Sequence, residues 1–227
     1  MSNIEFLKML NSFDKSYFTV ADLEKILGLE RDSLYVTLNR LVKAGVLIKL
    51  RRGVYQPEFQ VVGLEKVANE LYYPSYLSFE SALSIYGILS QIPYTLMFAT
   101  IKRSKKLTLA GREVEYRQLK KDYFFGYILK NGIYIAEPEK AVLDQLYMLS
   151  KGKAATDISE WSLIGLKKRK FLQYSKRFPK IVQDGAKQLT PKFGKYITTL
   201  DKKELFRVVP RVLPERLNPY TDTKIKL

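Results

Sequence analysis

Apolar side chains recur with helical spacing in three stretches near the start of the chain. Residues 3–12, 19–27 and 31–43 each place them three or four positions apart, as on one face of a helix. Thr19 is a favourable residue for the helix start, and Gly28 can end the same helix in the left-handed conformation. The pattern therefore predicts three consecutive helices.

The period then changes from helical to alternating. Apolar residues alternate from Val46 to Leu50, Arg51-Arg52-Gly53 has the composition of a turn, and Val54 begins a return strand. Three helices followed by a hairpin is the order of a winged helix-turn-helix, in which one helix enters the major groove of DNA. Residues 1–60 are therefore predicted to be a DNA-binding domain.

The helical period also predicts which side chains face DNA. If Leu34, Leu38 and Leu41 point to the core, the opposite face of the helix 31–43 is exposed. That face and the hairpin turn can then contact DNA. The residues predicted to contact DNA are Arg31, Ser33, Val36, Arg40, Lys43, Lys49, Arg51 and Arg52. A module used only for protein contacts is the alternative, because residues 1–60 carry nine basic and seven acidic residues.

The middle of the chain mixes helical and strand patterns. Helices are predicted at 61–71, 79–87 and 138–149, and Ser78 is predicted to be the N-cap of the second helix. A strand is predicted at 95–102. Two antiparallel hairpins are predicted, with turns at Ala110-Gly111-Arg112 and at Asn131-Gly132. Basic amphipathic helices are predicted at 162–176 and 178–189.

The predicted fold class is α+β. A winged helix-turn-helix at 1–60 is followed by a mixed α/β domain at 61–200, with antiparallel hairpins to about residue 150 and basic helices after it. Residues 201–227 contain three prolines and are predicted to be an irregular tail.

Composition narrows the chemistry. The 227 residues include no cysteine and no histidine, which removes disulfides, thiol and histidine catalysis and the usual zinc sites. No apolar run approaches the length of a membrane span, and the N-terminal residues lack the pattern of a signal peptide. A cytoplasmic protein with no membrane segment, no cofactor and no enzymatic activity is expected.

The net charge of +16 indicates an anionic partner, with nucleic acid the default. Its distribution is uneven, since residues 151–227 hold nineteen basic and seven acidic residues. A further nucleic-acid contact is therefore predicted at Lys167, Lys168, Arg169 and Lys170, although a solvated basic surface would have the same composition.

One acidic cluster could carry chemistry. Glu137, Glu139 and Asp144 could hold Mg²⁺ with Lys140 near a scissile phosphate, as in a nucleic-acid-processing enzyme. However, Glu139 and Asp144 are five positions apart, which separates them by about 140° around a helix. Helix capping and salt bridging are therefore favoured, and no metal site is predicted.

Several blocks of sequence resemble a known family. They are the wing end Gly53-Val54-Tyr55, the block 74–83 (Pro-Ser-Tyr-Leu-Ser-Phe-Glu-Ser-Ala-Leu), Tyr86-Gly87-Ile88, Gln91-Ile92-Pro93-Tyr94, Ala99-Thr100, Lys102-Arg103 and the block 135–144 (Ile-Ala-Glu-Pro-Glu-Lys-Ala-Val-Leu-Asp). Over roughly residues 5–150 the chain resembles the AbiEi family of antitoxins and transcriptional regulators from bacterial type IV toxin–antitoxin systems.

The resemblance implies a role beyond what the residues themselves indicate. Members of that family repress their own operon through an N-terminal winged helix and oppose a nucleotidyltransferase-like toxin through a C-terminal domain, without forming a stable complex with it. The family is implicated in abortive infection against phage. The resemblance thus implies two partners: a double-stranded operator, expected to contain inverted repeats, and the toxin. A winged-helix regulator whose second domain senses something other than a toxin is the alternative.

Overall fold

The computed structural model describes residues 2–59, 62–154 and 156–193. The predicted tail at 201–227 lies outside these residues. The chain divides into two compact units that are interleaved along the sequence. Unit 1 comprises residues 1–77, 93–124 and 129–135, and unit 2 comprises residues 78–92, 125–128 and 136–227. These units follow contacts rather than chain order, so the predicted domain boundaries at residues 60 and 200 stay predictions.

Unit 1 begins with the three helices that the apolar spacing predicts. They are α1 (Asn3–Asn11), α2 (Val20–Leu27) and α3 (Arg31–Lys43). Phe6, Leu23, Leu34 and Leu38 are fully or almost fully buried in one cluster between them. Burying a large apolar side chain stabilises the folded state by about 1.5–3 kcal/mol, so this cluster fixes the orientation of α3.

A small sheet completes this part of the chain. It consists of β1 (Phe18–Thr19), β2 (Leu47–Arg51) and β3 (Val54–Pro57), in the order β1-β3-β2. Both pairs are antiparallel, and Arg51 lies opposite Val54, so β2 and β3 form a hairpin with a two-residue turn. The hairpin has the position that the alternating pattern predicts.

Most strands of a second, six-stranded sheet also lie in unit 1. The helix α4 (Leu64–Leu71) precedes β4 (Ser75–Leu77), and the other strands are β5 (Leu96–Thr100), β6 (Lys105–Leu109), β7 (Arg112–Gln118), β8 (Tyr127–Lys130) and β9 (Ile133–Ala136). Their order is β6-β7-β5-β4-β9-β8, so both predicted turns join neighbouring strands. Only antiparallel hairpins were predicted, whereas β4–β9 and β5–β7 are parallel pairs between strands distant in sequence.

The described part of unit 2 is mainly helical. Its helices are α5 (Phe79–Ile85), α6 (Pro138–Ser150), α7 (Lys168–Ser175) and α8 (Lys180–Leu189). The prediction of one helix over 162–176 is wrong in its first half. Gly165 has a φ of +86°, which a right-handed helix does not allow, and Trp161 and Leu163 are buried in irregular chain before it.

Hydrogen bonds join the N-terminal elements to the six-stranded sheet and to α4 within unit 1. The Ala110 backbone N–H in the β6–β7 turn donates to the Leu50 carbonyl of β2, at 2.7 Å. The Ser16 hydroxyl donates to the Glu70 carboxylate of α4, at 3.0 Å. These bonds place β2 beside the β6–β7 turn. Within the described ranges, no helix has the length and apolar character needed to cross a membrane.

Candidate nucleic-acid interface

The start of α2 and the turn before α3 are fixed by local chemistry. The Thr19 hydroxyl accepts a hydrogen bond from the Asp22 backbone N–H at 3.2 Å, and the Asp22 carboxylate accepts from the Thr19 backbone N–H at 2.8 Å. This reciprocal pair is a capping box, and it satisfies donors that a helix start leaves open. Gly28 ends α2 with a φ of +62°. A side chain there would be strained, so glycine sets the angle at which the chain enters α3.

Helix α3 separates its buried and exposed faces cleanly. Leu34, Leu38 and Leu41 are buried, with exposed fractions of 5 % or less. Of the residues predicted to contact DNA, the five on this helix are all exposed: Arg31, Ser33, Val36, Arg40 and Lys43. The structure therefore brings these five side chains onto the solvent side of one helix.

The β2–β3 hairpin presents the remaining predicted contacts unequally. Lys49 and Arg52 are exposed, whereas Arg51 is half-buried. A bulge between Lys49 and Arg51 shifts the register, and Gly53 closes the turn with a φ of +79°. The Gly53 carbonyl accepts a hydrogen bond from the Val20 backbone N–H at 3.2 Å, which ties the turn to the start of α2. Lys49 and Arg52 are thus the cations of this hairpin with the freest access to a partner.

Four basic residues around α7 were predicted to form a second nucleic-acid contact, and one of them differs from the others in its environment. Lys167, Lys168 and Arg169 are exposed, but the Lys170 ammonium forms an ion pair with the Glu137 carboxylate within unit 2. The Lys167 backbone N–H donates to the Glu139 carboxylate at 3.0 Å. The four basic residues are therefore not one surface: three face solvent and one holds α7 to the start of α6.

The acidic cluster at the start of α6 is engaged by side chains and backbone of unit 2. Glu137 accepts hydrogen bonds from Lys170 and from the Tyr174 hydroxyl. Burial disfavours its charged form, but these two bonds outweigh burial and lower the pKa of the Glu137 carboxyl. Asp144 pairs with Lys140 and accepts a hydrogen bond from the Ser78 hydroxyl at 2.9 Å. Ser78, predicted as an N-cap, makes no cap hydrogen bond to α5 because its hydroxyl is committed to Asp144.

The Lys140–Asp144 pair is completely buried. Both side chains have an exposed fraction of 0 %, and the Lys140 ammonium lies 5.0 Å from the Phe125 ring centre and 5.2 Å from that of Phe178. Burial lowers the pKa of Lys140 to about 8, although Asp144 opposes that change. The sequence analysis favoured salt bridging in this cluster but did not predict that the pair is buried. The four-residue spacing of Lys140 and Asp144 was the available signal.

These contacts concern the alternative in which the acidic cluster around the start of α6 holds Mg²⁺. Glu137, Glu139 and Asp144 each contact an ammonium group, a hydroxyl or a backbone N–H. Across residues 2–59, 62–154 and 156–193, no group of three or more acidic side chains is arranged to hold a metal ion. The cluster is thus occupied by internal contacts. The predicted salt bridges are present, but the predicted helix capping is not, because the Glu137 side chain makes no capping hydrogen bond and binds Lys170 and Tyr174 instead.

Comparison with known proteins concerns the N-terminal elements. Residues 5–57, which contain most of α1, all of α2 and α3, and the hairpin, match the model of a family of transcriptional regulators. That family is described as "Transcriptional regulator, AbiEi antitoxin", so the predicted resemblance is confirmed on this segment. No curated protein matches the chain. The match does not extend to residues 58–150, where the resemblance stays a prediction.

Proposed function

We propose that residues 1–60 form a winged helix-turn-helix that binds double-stranded operator DNA. The observation that carries this proposal is the separation of exposed and buried residues on α3, where all five predicted contacts are exposed while Leu34, Leu38 and Leu41 are buried. In this arrangement α3 enters the major groove, and the β2–β3 hairpin lies beside it with Lys49 and Arg52 on phosphates. Arg51, half-buried, contributes less than its neighbour.

The second part of the proposal concerns regulation and the toxin. The chain represses its own operon by binding inverted repeats, and its later part opposes a nucleotidyltransferase-like toxin encoded beside it. The family description of residues 5–57 as an antitoxin regulator supports this role. The proposed layout is a DNA-binding domain at 1–60, an antitoxin domain at 61–200 and a tail at 201–227. We further propose that the protein is cytoplasmic and has no enzymatic activity.

The exposed cations of α7 fit the same function as a secondary contact. Lys167, Lys168 and Arg169 are exposed and add positive charge outside the N-terminal module, whose own charges nearly cancel. Phosphate contacts of this kind raise affinity without selecting sequence. Lys170 has an internal partner and is left out of this proposed contact.

Operator binding is tested by a single substitution in the hairpin. We expect Arg52→Ala to weaken binding to the upstream DNA of the operon and to reduce the slope of log affinity against log salt by about one, because one phosphate contact is lost. Lys8→Ala is the matched control, since Lys8 is an exposed cation of α1, an element that is not part of the proposed interface. Equal salt slopes for the wild type and Arg52→Ala would remove the hairpin from the interface.

Opposition to a toxin requires a different readout. The full chain is co-expressed with the adjacent gene, and growth is scored with wild type and with Arg52→Ala. We expect the wild type to restore growth, and we expect Arg52→Ala to restore it as well while repressing the operon less. Failure of the wild type to restore growth contradicts the antitoxin role but leaves operator binding standing.

A further inference from the structure

The outermost line of α3 has an unusual composition for a surface that meets DNA. At 100° per residue, Asp32, Val36, Asn39 and Lys43 lie on one line, directly opposite Leu34. All four side chains are exposed. Only Lys43, at the C-terminal end, carries a positive charge, while an acid, an aliphatic residue and an amide occupy the rest.

Val36 is the most exposed apolar residue on this helix, at 71 %. A β-branched residue is a poor helix former and loses side-chain freedom there, so it adds nothing to the stability of an exposed helix face. In the major groove, the apolar group available to such a side chain is the 5-methyl group of thymine.

Asn39 offers a complementary chemistry. Its side-chain amide makes no hydrogen bond to any other residue in the described ranges, so both its donor and its acceptor face solvent. An asparagine amide matches adenine, because it accepts from the N6 amino group and donates to N7. Val36 and Asn39 are three residues apart, which is about 4.5 Å along a helix axis, close to the 3.4 Å spacing of base pairs.

Asp32 indicates that this line meets bases rather than the backbone. Its carboxylate lies one turn before Val36, and a phosphate placed there would be repelled. Residues 1–60 also carry nearly equal numbers of basic and acidic residues, so the module has no large excess of positive charge to draw it to phosphates. Contacts with base edges along this line would add to the phosphate contacts of Lys49 and Arg52.

We propose that α3 reads two neighbouring A·T base pairs, with Val36 against a thymine methyl group and Asn39 on the N6 and N7 atoms of an adenine. This inference rests on the proposed DNA-binding function and specifies its recognition sequence. It assigns Asn39 a role in specificity that charge and motif did not indicate, and it gives Val36 one defined atom as its target.

The experiment begins with the full chain and a random-sequence duplex library, from which bound duplexes are selected. Each thymine of the selected site is then replaced singly by deoxyuridine, which removes only the 5-methyl group. We expect one replacement to weaken wild-type binding by about four-fold, the value of one buried methyl group. That loss disappears in Val36→Ala and persists in Ile4→Ala, whose residue is an equally exposed aliphatic side chain of α1.

Asn39 is tested on the same duplex with 7-deazaadenine, which lacks the N7 acceptor. We expect replacement of the neighbouring adenine to weaken wild-type binding by about ten-fold and to leave Asn39→Ala unaffected. Circular dichroism confirms that each variant is folded, which is expected for exposed positions.

The outcomes separate the inference from the function on which it rests. If the chain selects no duplex, both the DNA-binding proposal and this inference fail. If it selects a duplex but binds the deoxyuridine forms as well as the parent, operator binding stands and the role of Val36 is wrong. A methyl penalty that persists in Val36→Ala also overturns that role.

Discussion

The basic side chains on α3 and the β2–β3 hairpin differ from those around α6 in their exposure and in their partners. Arg31, Arg40, Lys43, Lys49 and Arg52 are exposed and lie on elements whose opposite faces are buried. In unit 2, Lys140 is completely buried with Asp144, and Lys170 is paired with Glu137. The first set is available to a partner, whereas the second holds elements of unit 2 together.

The difference shows that the position of a charge matters more than its abundance. The sequence places most of the net positive charge after residue 150, yet one of the four basic residues singled out there has an internal partner. The N-terminal module has almost no net charge, yet five of its nine basic residues are exposed on α3 and the β2–β3 hairpin. Three measurements can sharpen or break this comparison.

The largest effect is expected from Lys140→Met, which removes the amine that donates to the buried Asp144 carboxylate in both protonation states of Lys140. Breaking one side of a buried ion pair costs about 3–5 kcal/mol in the free energy of unfolding. Trp161 is the one tryptophan in the chain and is buried in unit 2, so its fluorescence during urea denaturation reports this loss. Lys187→Met is the control, since the Lys187–Asp184 pair is exposed and contributes at most about 1 kcal/mol. Equal stabilities for the two variants would show that the buried pair does not hold unit 2.

A smaller effect is expected from pH in the wild type. Folding lowers the pKa of Lys140 from 10.5 to about 8, so between these values the unfolded chain binds more protons than the folded one. The free energy of unfolding therefore rises with pH, by about 1 kcal/mol per unit from pH 8 to pH 9.5. Two charged groups act on the pKa of Lys140: Asp144 raises it and Arg177 lowers it. Burial has the largest effect, so the net change is downward.

Trp161 fluorescence in urea, repeated at four pH values, measures this slope. Lys140→Met should abolish it, because the titrating group is gone. The window stops below pH 10, where burial-raised pKa values of Tyr86 and Tyr174 give the opposite dependence. A wild-type stability that falls across this window would contradict the assignment.

The smallest effect comes from comparing an exposed cation of α3, Arg40, with a cation that has an internal partner, Lys170. Arg40→Ala should weaken DNA binding about three- to ten-fold and reduce the salt slope by about one, with little change in stability. Lys170→Ala should leave the salt slope unchanged and lower the free energy of unfolding by about 1 kcal/mol, because it breaks the pair with Glu137. The reverse result would mean that α7, rather than α3, meets the phosphates.

Local patterns predicted local structure well. Thr19, Gly28 and the leucines of α3 predicted the ends and the buried face of their helices, because capping and amphipathic spacing act within a few residues. The turn at Gly53 and the one at Asn131-Gly132 followed from residues that favour tight turns. The face of α3 could thus be predicted before the fold was known.

Long-range pairing could not be predicted in the same way. The parallel pairing of β4 with β9 joins segments more than fifty residues apart, and no local period encodes it. The burial of Lys140 depends on Phe125 and Phe178, which come from distant parts of the chain. No local pattern in α6 predicts that its charged residues are buried, because only the fold supplies the partners that let them be buried.

The hydrogen bond from Ala110 to Leu50 has a consequence for how this protein can be divided or recombined. The strand that carries Lys49 receives backbone support from a turn encoded some sixty codons later, within a unit assembled from three separate stretches of the gene. A cut after residue 60 would remove that support. Chimeras that exchange operator specificity should therefore graft the α3 surface, residue by residue, onto an intact chain.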